Sequence, residues 1–304
     1  MHADKYNITE GFDMQYVLEN DKLRLTVNSA GAEMKSLIRK SDDQELLWRA
    51  DPKFWGRTAP VLFPLVGRVV GDSYTAKGNT YEMKQHGFGR DSEFSLLSQS
   101  DDELVFSLKD NEETKKKYPY SFELQISYKM DKNNVHIGWK VINPSDETIY
   151  FSLGGHPAFA CPLKDGEKQA DYSFLIDTDA PALTCAKFDD GYVTGETYEC
   201  ALNDKRLAIT PHLFDGDALV IENHQAQKVT LLDGNQNPYL AVSFDAPVFG
   251  LWSPPGKEAP FVCIEPWYGR CDNKDFTGEW KDREWGNSLD AGAEFNGGFD
   301  VEVL

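Results

Sequence analysis

The strongest constraint on the fold is a strict alternation of apolar and polar residues. In FELQISYKM, residues 122–130, every second residue is apolar, and the alternation continues after the sequence DKNN at Val135, Ile137, Trp139 and Val141. Side chains on a β-strand point alternately to opposite faces, so a period of two predicts a strand with one buried face. Two such runs joined by turn-forming residues predict a β-hairpin.

Short runs of the same kind recur along the chain, and turn residues separate nearly all of them. The clearest are KLRLTVN (22–28), SEFSLLSQ (92–99), ELVFSLKD (103–110), TIYFSLGG (148–155), ALVIE (218–222), KVTLLD (228–233), LAVSFD (240–245), FGLWS (249–253) and FVCIE (261–265). We predict roughly fifteen to twenty strands and one short helix near residues 111–117. So many strands must be stacked or closed to bury their apolar faces, which indicates an all-β fold, mainly antiparallel, built as a large sandwich.

The chain offers no obvious internal boundary. Its 304 residues contain no repeat and no long Pro- or Gly-rich linker. Because all-β sandwiches often exceed about 200 residues as one unit, we predict a single domain over residues 1–304. Residues 162–204 are more polar than the rest, and we expect them to form an insertion of loops across one face.

The charge of the chain restricts its partners. The formal net charge is −19, and the isoelectric point lies near 4.7. A chain of this charge repels phosphate backbones and anionic lipid headgroups, whose binding normally requires a Lys- or Arg-rich face. We therefore predict no nucleic-acid partner and no membrane partner, and we expect a monomer or a homodimer that acts on a small molecule.

Cysteine usage and the first residues of the chain bear on its location. The five cysteines are Cys161, Cys185, Cys200, Cys263 and Cys271. Their odd number, wide spacing and lack of a C-x-x-C pair argue against a disulfide framework and against a structural zinc site. Residues 1–15 carry acidic residues and no apolar core of signal-peptide length. We expect reduced thiols and a cytoplasmic protein.

Four residues that lie among glycine and proline are candidates for chemistry. They are Arg68 in LVGR, His86 in KQHGFGRD, His156 in SLGGHPAF and Glu265 in CIEPWYGR. A proline follows both His156 and Glu265, which biases these two residues towards extended backbone at a strand end. Together, an imidazole that titrates near neutral pH and a carboxylate can protonate one oxygen atom while they deprotonate another.

Such a pair suits the opening of a cyclic hemiacetal, in which the ring oxygen gains a proton and the anomeric hydroxyl loses one. This chemistry requires no metal and no organic cofactor. Two other interpretations exist: a histidine between glycines is commonly a structural residue, and His86, His156 and Glu265 form a possible set of metal ligands, two His and one carboxylate. The absence of a short-range ligand pair such as H-x-H or H-E-x-x-H disfavours the metal.

Five segments carry a family resemblance from about residue 20 to the C-terminus. They are NSAGAEMKSLIRK (28–40), ELLWRADPKFWGRTAPVLFPLVGR (45–68), YEMKQHGFGRDSEF (81–94), SLGGHPAFACPL (152–163) and FVCIEPWYGRCD (261–272). In these segments the chain resembles the aldose 1-epimerase (galactose mutarotase) superfamily, and most of all its LacX-like branch. The resemblance implies a galactose-mutarotase-like β-sandwich with the active site in a cleft on one face.

The resemblance also implies a role for each candidate residue. His156 matches the general acid that protonates the sugar ring oxygen, and Glu265 matches the base that acts on the anomeric hydroxyl. His86 matches a second histidine that hydrogen-bonds the sugar, and Arg68 falls on an arginine that binds sugar hydroxyls. An aspartate with the same task corresponds to Asp217, with Asp215 as the alternative.

Several points stay open at the level of sequence. Trp252 and Trp267 are each a candidate for stacking on the sugar or for a place in the core. VGR and QHGFGR replace motifs of the well-characterised galactose mutarotases, so the sugar is undetermined. The alternatives are a hexose-phosphate 1-epimerase, with Arg57, Arg90 or Arg270 on the phosphate, and a non-catalytic sugar-binding or sensing protein.

Overall fold

The computed structural model describes residues 14–164 and 166–304; the expectation for the first fifteen residues therefore lies almost wholly outside it. The described residues form the following strands: Gln15–Glu19 (β1), Leu23–Asn28 (β2), Glu33–Arg39 (β3), Gln44–Glu45 (β4), Val61–Leu62 (β5), Ser73–Ala76 (β6), Asn79–Glu82 (β7), Ser95–Gln99 (β8), Glu103–Lys109 (β9), Glu123–Asp131 (β10), Asn134–Ile142 (β11), Ile149–Phe151 (β12), Leu153–Gly155 (β13), Ala158–Ala160 (β14), Ser173–Ile176 (β15), Ala182–Asp189 (β16), Tyr192–Ala201 (β17), Arg206–Ala208 (β18), Leu219–Ile221 (β19), Lys228–Leu232 (β20), Pro238–Phe244 (β21), Val248–Trp252 (β22), Phe261–Tyr268 (β23), Asn287–Leu289 (β24) and Glu294–Val303 (β25).

Two large sheets organise these strands. One has the order β18-β15-β20-β21-β25-β11-β10-β9-β8, and the other has the order β17-β16-β19-β22-β23-β13-β5, with β14 also paired to β23. Strands β1 to β4 form a smaller sheet, and β6-β7 and β12-β24 are two-stranded. Every ladder between these strands is antiparallel, so the predicted all-β, antiparallel fold is confirmed.

The predicted hairpin is present as β10 and β11. The two strands pair in register from Glu123 opposite Ile142 to Asp131 opposite Asn134. In β10 the residues alternate between buried and more exposed positions along most of its length, as the period of two requires. The hairpin lies inside the nine-stranded sheet and presents its apolar face to the core.

The two large sheets face each other across a shared apolar core. A methyl group placed on Gly155 of β13 would lie 3.0 Å from a ring carbon of Phe299 in β25 and 3.1 Å from one of Trp139 in β11. Side chains of the nine-stranded sheet therefore reach the backbone of the other sheet. This contact is that of a β-sandwich.

The prediction for residues 162–204 is wrong. This segment contains β15, β16 and β17, which extend both large sheets. Its polar character has a simple cause: β17 is an edge strand, and all of its residues from position 194 onward are exposed or only partly buried.

Helical structure is sparse in the described residues. The expected helix near residues 111–117 is a single turn, Glu112–Lys115, and Asn111 caps it by accepting hydrogen bonds from the backbone N–H groups of Glu113 and Thr114. Short 3-10 turns occur at Val70–Asp72, Gly89–Asp91, Gln169–Asp171 and Trp280–Asp282. In the part of the chain that the structure describes, no helix has the length and apolar character needed to cross a bilayer.

Candidate active site

Two glycines place His156 directly after β13. A methyl group on Gly154 would lie 2.7 Å from a ring carbon of Trp267, and one on Gly155 would lie 3.0 Å from Phe299. Only glycine at both positions lets the strand pass this closely over the aromatic core. The sequence GGH therefore fixes where the imidazole of His156 enters the cleft.

His86 is held by its own backbone and by a hydrogen bond to its ring. Its φ is +66°, in the left-handed region, and Gly87 follows with φ +69°. The Nδ1 atom of His86 accepts a hydrogen bond from the backbone N–H of Gly67 at 3.1 Å. Because Nδ1 is an acceptor, neutral His86 carries its proton on Nε2, which is then a donor.

Gly87 offers a test of how tightly this turn is packed. A methyl group there would lie 2.3 Å from the carbonyl oxygen of Phe63, whereas one on Gly78, which also has a positive φ, would contact nothing within 4 Å. We expect Gly78→Ala to cost about 1 kcal/mol for its backbone conformation alone. Gly87→Ala should cost about 1–3 kcal/mol more because of the clash. Denaturant unfolding measures both, and equal costs would contradict the close approach.

Glu265 and His156 form the centre of the site. Nε2 of His156 lies 3.2 Å from Oε2 of Glu265, and their side chains are 9% and 1% exposed. Nδ1 of His156 and Oε2 of Glu265 are buried and have no hydrogen-bond partner. Buried polar atoms in native proteins are normally satisfied, so unpaired atoms on two adjacent acid–base groups indicate a place for a polar ligand.

Burial favours the neutral form of both groups. It lowers the pKa of His156 to about 3, and the positive charge of Arg90 acts in the same direction. It raises the pKa of Glu265 well above its usual value, and the negative charge of Asp217 adds to this effect. The pKa of His86 is also well below its usual value, because of burial and the neighbouring His156. Besides the N–H proton of the neutral imidazole, the pair therefore shares one transferable proton, and burial favours its place on Glu265.

Aromatic side chains form the walls around His156. The ring of Trp55 stacks on it with centroids 4.6 Å apart and planes 27° from parallel, and Trp252 meets it edge-on at 5.3 Å. Sequence reasoning missed Trp55, whose only signal was its place in a segment that carries the family resemblance. Trp252 lines the cleft, whereas Trp267 is 6% exposed and packs beneath it against Gly250.

The two candidate aspartates differ in their surroundings. Asp217 accepts a hydrogen bond from the indole N–H of Trp252 at 2.9 Å, which places its carboxylate beside the aromatic wall of the site. Asp215 instead lies 2.8 Å from Nδ1 of His212 on the surface. The structure thus brings Asp217 to the site and pairs Asp215 elsewhere.

The side chain of Arg68 has its partners away from His156 and Glu265. Its guanidinium pairs with Asp72 at 3.0 Å and lies over the ring of Tyr192 at 5.4 Å. The residue before it, Gly67, donates the hydrogen bond to His86, so the backbone of Arg68 borders the site while its side chain is occupied by other partners.

The three other arginines named as phosphate ligands divide into two groups. Arg270 is buried, and its charge is already paired with the carboxylates of Glu222 and Glu284. Arg57 and Arg90 lie close enough to His156 to lower its pKa, and burial together with the charge of Arg57 lowers the pKa of Arg90 to about 10. We refer to Arg57 and Arg90 together as the Arg57–Arg90 cluster.

A metal would meet different ligands from those proposed from sequence. In residues 14–164 and 166–304, the one group of three potential ligand residues is His156, Cys263 and Glu265, whose donor atoms all lie within 4.8 Å of one another. His86, which the sequence had added to this set, is not in the group. Burial raises the pKa of the Cys263 thiol well above its usual value, which keeps it protonated and disfavours it as a ligand.

A separate surface groove lies away from His156 and Glu265. A shallow, open groove of about 690 Å³ crosses the nine-stranded sheet, and Lys129, His136, Phe244 and Asp300 are among its lining residues. Its histidine pairs with Asp300 at 2.6 Å. We place the site at His156 and Glu265 because the unpaired buried polar groups are there, whereas the groove is open to solvent.

Comparison with known sequences points to one family. The model of the family described as aldose 1-epimerase matches residues 14–279. Protein LacX of Lactococcus lactis subsp. lactis is 32% identical over 265 residues, which cover 84% of this chain and 88% of LacX.

Solved structures agree with the sequence comparison. A galactose mutarotase related enzyme from Lactobacillus acidophilus superposes with a TM-score of 0.89 at 36% identity, over 96% of this chain and 97% of that one. A galactose mutarotase-like protein from Lactobacillus casei superposes with a TM-score of 0.90 at 31% identity, over 96% and 100% of the two chains.

Proposed function

We propose that this chain, which belongs to the aldose 1-epimerase family and to its LacX-like branch, interconverts the α and β anomers of an aldose by acid–base opening and closing of the sugar ring. The observation that most supports this proposal is the distance of 3.2 Å between Nε2 of His156 and Oε2 of Glu265. The ring oxygen and the anomeric hydroxyl oxygen of a cyclic aldose are both bonded to C1. Two groups that serve these oxygens must therefore be neighbours, as this pair is.

The proton that the pair holds is enough for the whole cycle. Transfer from Glu265 to His156 gives a carboxylate and an imidazolium. Glu265 then takes the proton of the anomeric hydroxyl while His156 gives its proton to the ring oxygen, and the C1–ring oxygen bond breaks to leave the open-chain aldehyde. Rotation about C1–C2 and the reverse steps close the ring on the other face.

In this scheme the two residues carry the same protons before the sugar binds as they do when the sugar is in its open-chain form. Burial keeps Glu265 protonated and His156 neutral, and the same arrangement follows ring opening. The site therefore favours the state that lies between the two anomers. Water-excluding walls strengthen this preference, because a low dielectric disfavours the ionised pair when no sugar oxygen accompanies it.

The other residues are proposed to bind the sugar. His86 has its Nε2 proton free for donation to a sugar oxygen, since Nδ1 is bonded to Gly67. Asp217 can accept from a hydroxyl, and Trp55 or Trp252 can pack against the apolar face of the ring. Arg68 remains part of the proposal as a hydroxyl ligand, although it must first leave Asp72.

The pH profile tests this account of the protons. The active pair carries one transferable proton, so activity requires that His156 has not taken up another from solvent and that Glu265 has not lost its own. Because the pKa of His156 is about 3 and that of Glu265 is raised, kcat/KM should stay nearly level as pH falls from 7 through 6.5, and decline only at much lower pH. On the alkaline side it should decline as Glu265 ionises. Initial rates corrected for the uncatalysed reaction give the profile, and an acid limb centred near 6.5 would contradict it.

One observation favours a second candidate, the epimerisation of a sugar phosphate. In the Arg57–Arg90 cluster, two cations lie beside the histidines, and Nε of Arg90 is buried without a hydrogen-bond partner. The carboxylate that pairs with Arg57 at 2.7 Å belongs to Asp91, whose side chain is 57% exposed. An anionic group on the sugar would relieve the repulsion between the two arginines.

Arg57→Gln separates the two substrate classes. If the cluster binds a phosphate, the variant should raise KM for glucose 6-phosphate by about 10- to 100-fold, the usual worth of a charge-assisted hydrogen bond, and leave KM for glucose nearly unchanged. Arg24→Gln, which removes an exposed arginine paired with Glu19, is the matched control. No preference of the wild type for glucose 6-phosphate over glucose would count against the phosphate candidate.

A further inference from the structure

Two thiols touch in the hairpin of β16 and β17, which lies at the edge of the large sheet that contains β23. Sγ of Cys185 in β16 lies 3.4 Å from Sγ of Cys200 in β17. In the ladder Leu183 opposes Cys200 and Cys185 opposes Tyr198, so the two cysteines are diagonal neighbours on one face. Nothing in the acid–base site uses either of them.

The two thiols have different environments. Cys185 is fully buried, whereas Cys200 is only partly buried and belongs to the edge strand β17. Cys185 donates its S–H to the sulfur of Cys200, and this hydrogen bond lowers the pKa of Cys200. Cys200 is thus the more accessible and more nucleophilic of the two, and Cys185 is positioned to follow it.

We propose that Cys185 and Cys200 form a redox-modification site, in which a hydroperoxide converts the two thiols into an intramolecular disulfide. The thiolate of Cys200 attacks the peroxide, takes one oxygen as a sulfenic acid and releases hydroxide. The thiol of Cys185 then attacks the sulfenic sulfur, the S–S bond forms, and the oxygen leaves as water. With hydrogen peroxide the two thiols are oxidised and the peroxide is reduced to two molecules of water.

Strand β17 can make the movement that the bond requires. A disulfide holds its sulfurs about 2.0 Å apart, and diagonal neighbours begin further apart at Cα than most bridged cysteines do. Only one side of β17 is paired within its sheet, and the β16–β17 ladder already shifts register between Ala186 and Phe188. Outside this sheet, backbone hydrogen bonds join Val193, near the start of β17, to Asp272 and Lys274. The other end of the strand, which carries Cys200, can therefore approach β16 without displacing these partners.

The other three cysteines differ in both access and contacts. Cys161 and Cys263 are 0% exposed, and Cys271 is 3% exposed. Burial raises the pKa of each of these thiols, which keeps them protonated and unreactive. Oxidation is therefore selective for the hairpin.

Peptide mapping tests the proposal, because trypsin separates the two cysteines. Cleavage after Lys168, Lys187 and Lys205 places Cys185 in peptide 169–187 and Cys200 in peptide 188–205. After brief treatment of the folded protein with hydrogen peroxide, we expect these two peptides to be joined. Thiols that react with a maleimide after denaturation should fall from five to three, and dithiothreitol should restore all five.

Three single variants identify which two cysteines form the bond. Cys200→Ser and Cys185→Ser should each abolish the joined peptide, whereas Cys271→Ser should keep it. Three results with the wild-type protein would each overturn the proposal, whether or not the variants fold. They are five reactive thiols after peroxide, a link that involves another cysteine, and a stable sulfinic acid at Cys200 without a disulfide. The result is independent of any sugar activity, because the mapping requires no substrate.

Discussion

Replacement of Glu265 with Gln is expected to lower kcat by about 10²- to 10⁴-fold, the usual contribution of a positioned acid–base group. The amide keeps the size and shape of the side chain but cannot exchange a proton with His156 or the sugar. Stability should change in the opposite direction. At pH 7 an unfolded chain ionises Glu265 freely, whereas burial in the fold raises its pKa and disfavours the ionised form, so folding carries a cost that Gln does not.

This cost has a defined pH dependence. A raised pKa in the folded protein means that the cost is absent below the ordinary value of 4.5 and grows as pH rises above it. The Tm of Glu265→Gln should therefore equal or exceed that of the wild type at pH 7, and the difference should disappear in acid. If Glu265→Gln has a lower Tm than the wild type at pH 7, and its inactivity follows from unfolding, the role assigned to Glu265 is contradicted. Asp215→Asn, on the surface, is a control that should change neither quantity appreciably.

Replacement of His156 with Gln is expected to lower kcat to a similar extent. The amide nitrogen of Gln can reach the position of Nε2, the atom that faces Glu265, but it cannot pass a proton to the ring oxygen. Because the two groups share one proton, the double variant should lose little more than either single variant. Independent, multiplicative losses in the double variant would indicate that the residues do not act as a pair.

The fold was largely predictable from the sequence, for a local reason. An alternation such as that of residues 122–141 sets both the strand and the face that it buries, so the pairing of β10 with β11 follows from neighbouring residues. Residues 162–204 show the limit of this argument. An edge strand such as β17 has few buried side chains, and its polarity is hard to distinguish from that of a loop.

The site was less accessible to reasoning from local pattern. His156 and Glu265 are more than a hundred residues apart and meet because β23 pairs with both β13 and β14, which no local period specifies. The neighbouring glycines and prolines marked both residues as candidates, the family resemblance implied their roles, and the structure brings them together. Trp55 and the Arg57–Arg90 cluster acquire their relevance from packing around His156. The ion pair between Arg68 and Asp72 likewise depends on side-chain directions that the sequence does not encode.

The central claim is that His156 and Glu265 open and close a sugar ring, and polarimetry tests it most directly. Freshly dissolved α-galactose and α-glucose are followed to equilibrium with the wild type, Glu265→Gln and His156→Gln, each shown to be folded by its Tm. The account predicts that the wild type accelerates mutarotation of at least one sugar and that both variants lose the acceleration. A folded wild type that leaves both rates unchanged would contradict mutarotation of free sugars, and full activity in either variant would contradict the roles assigned here.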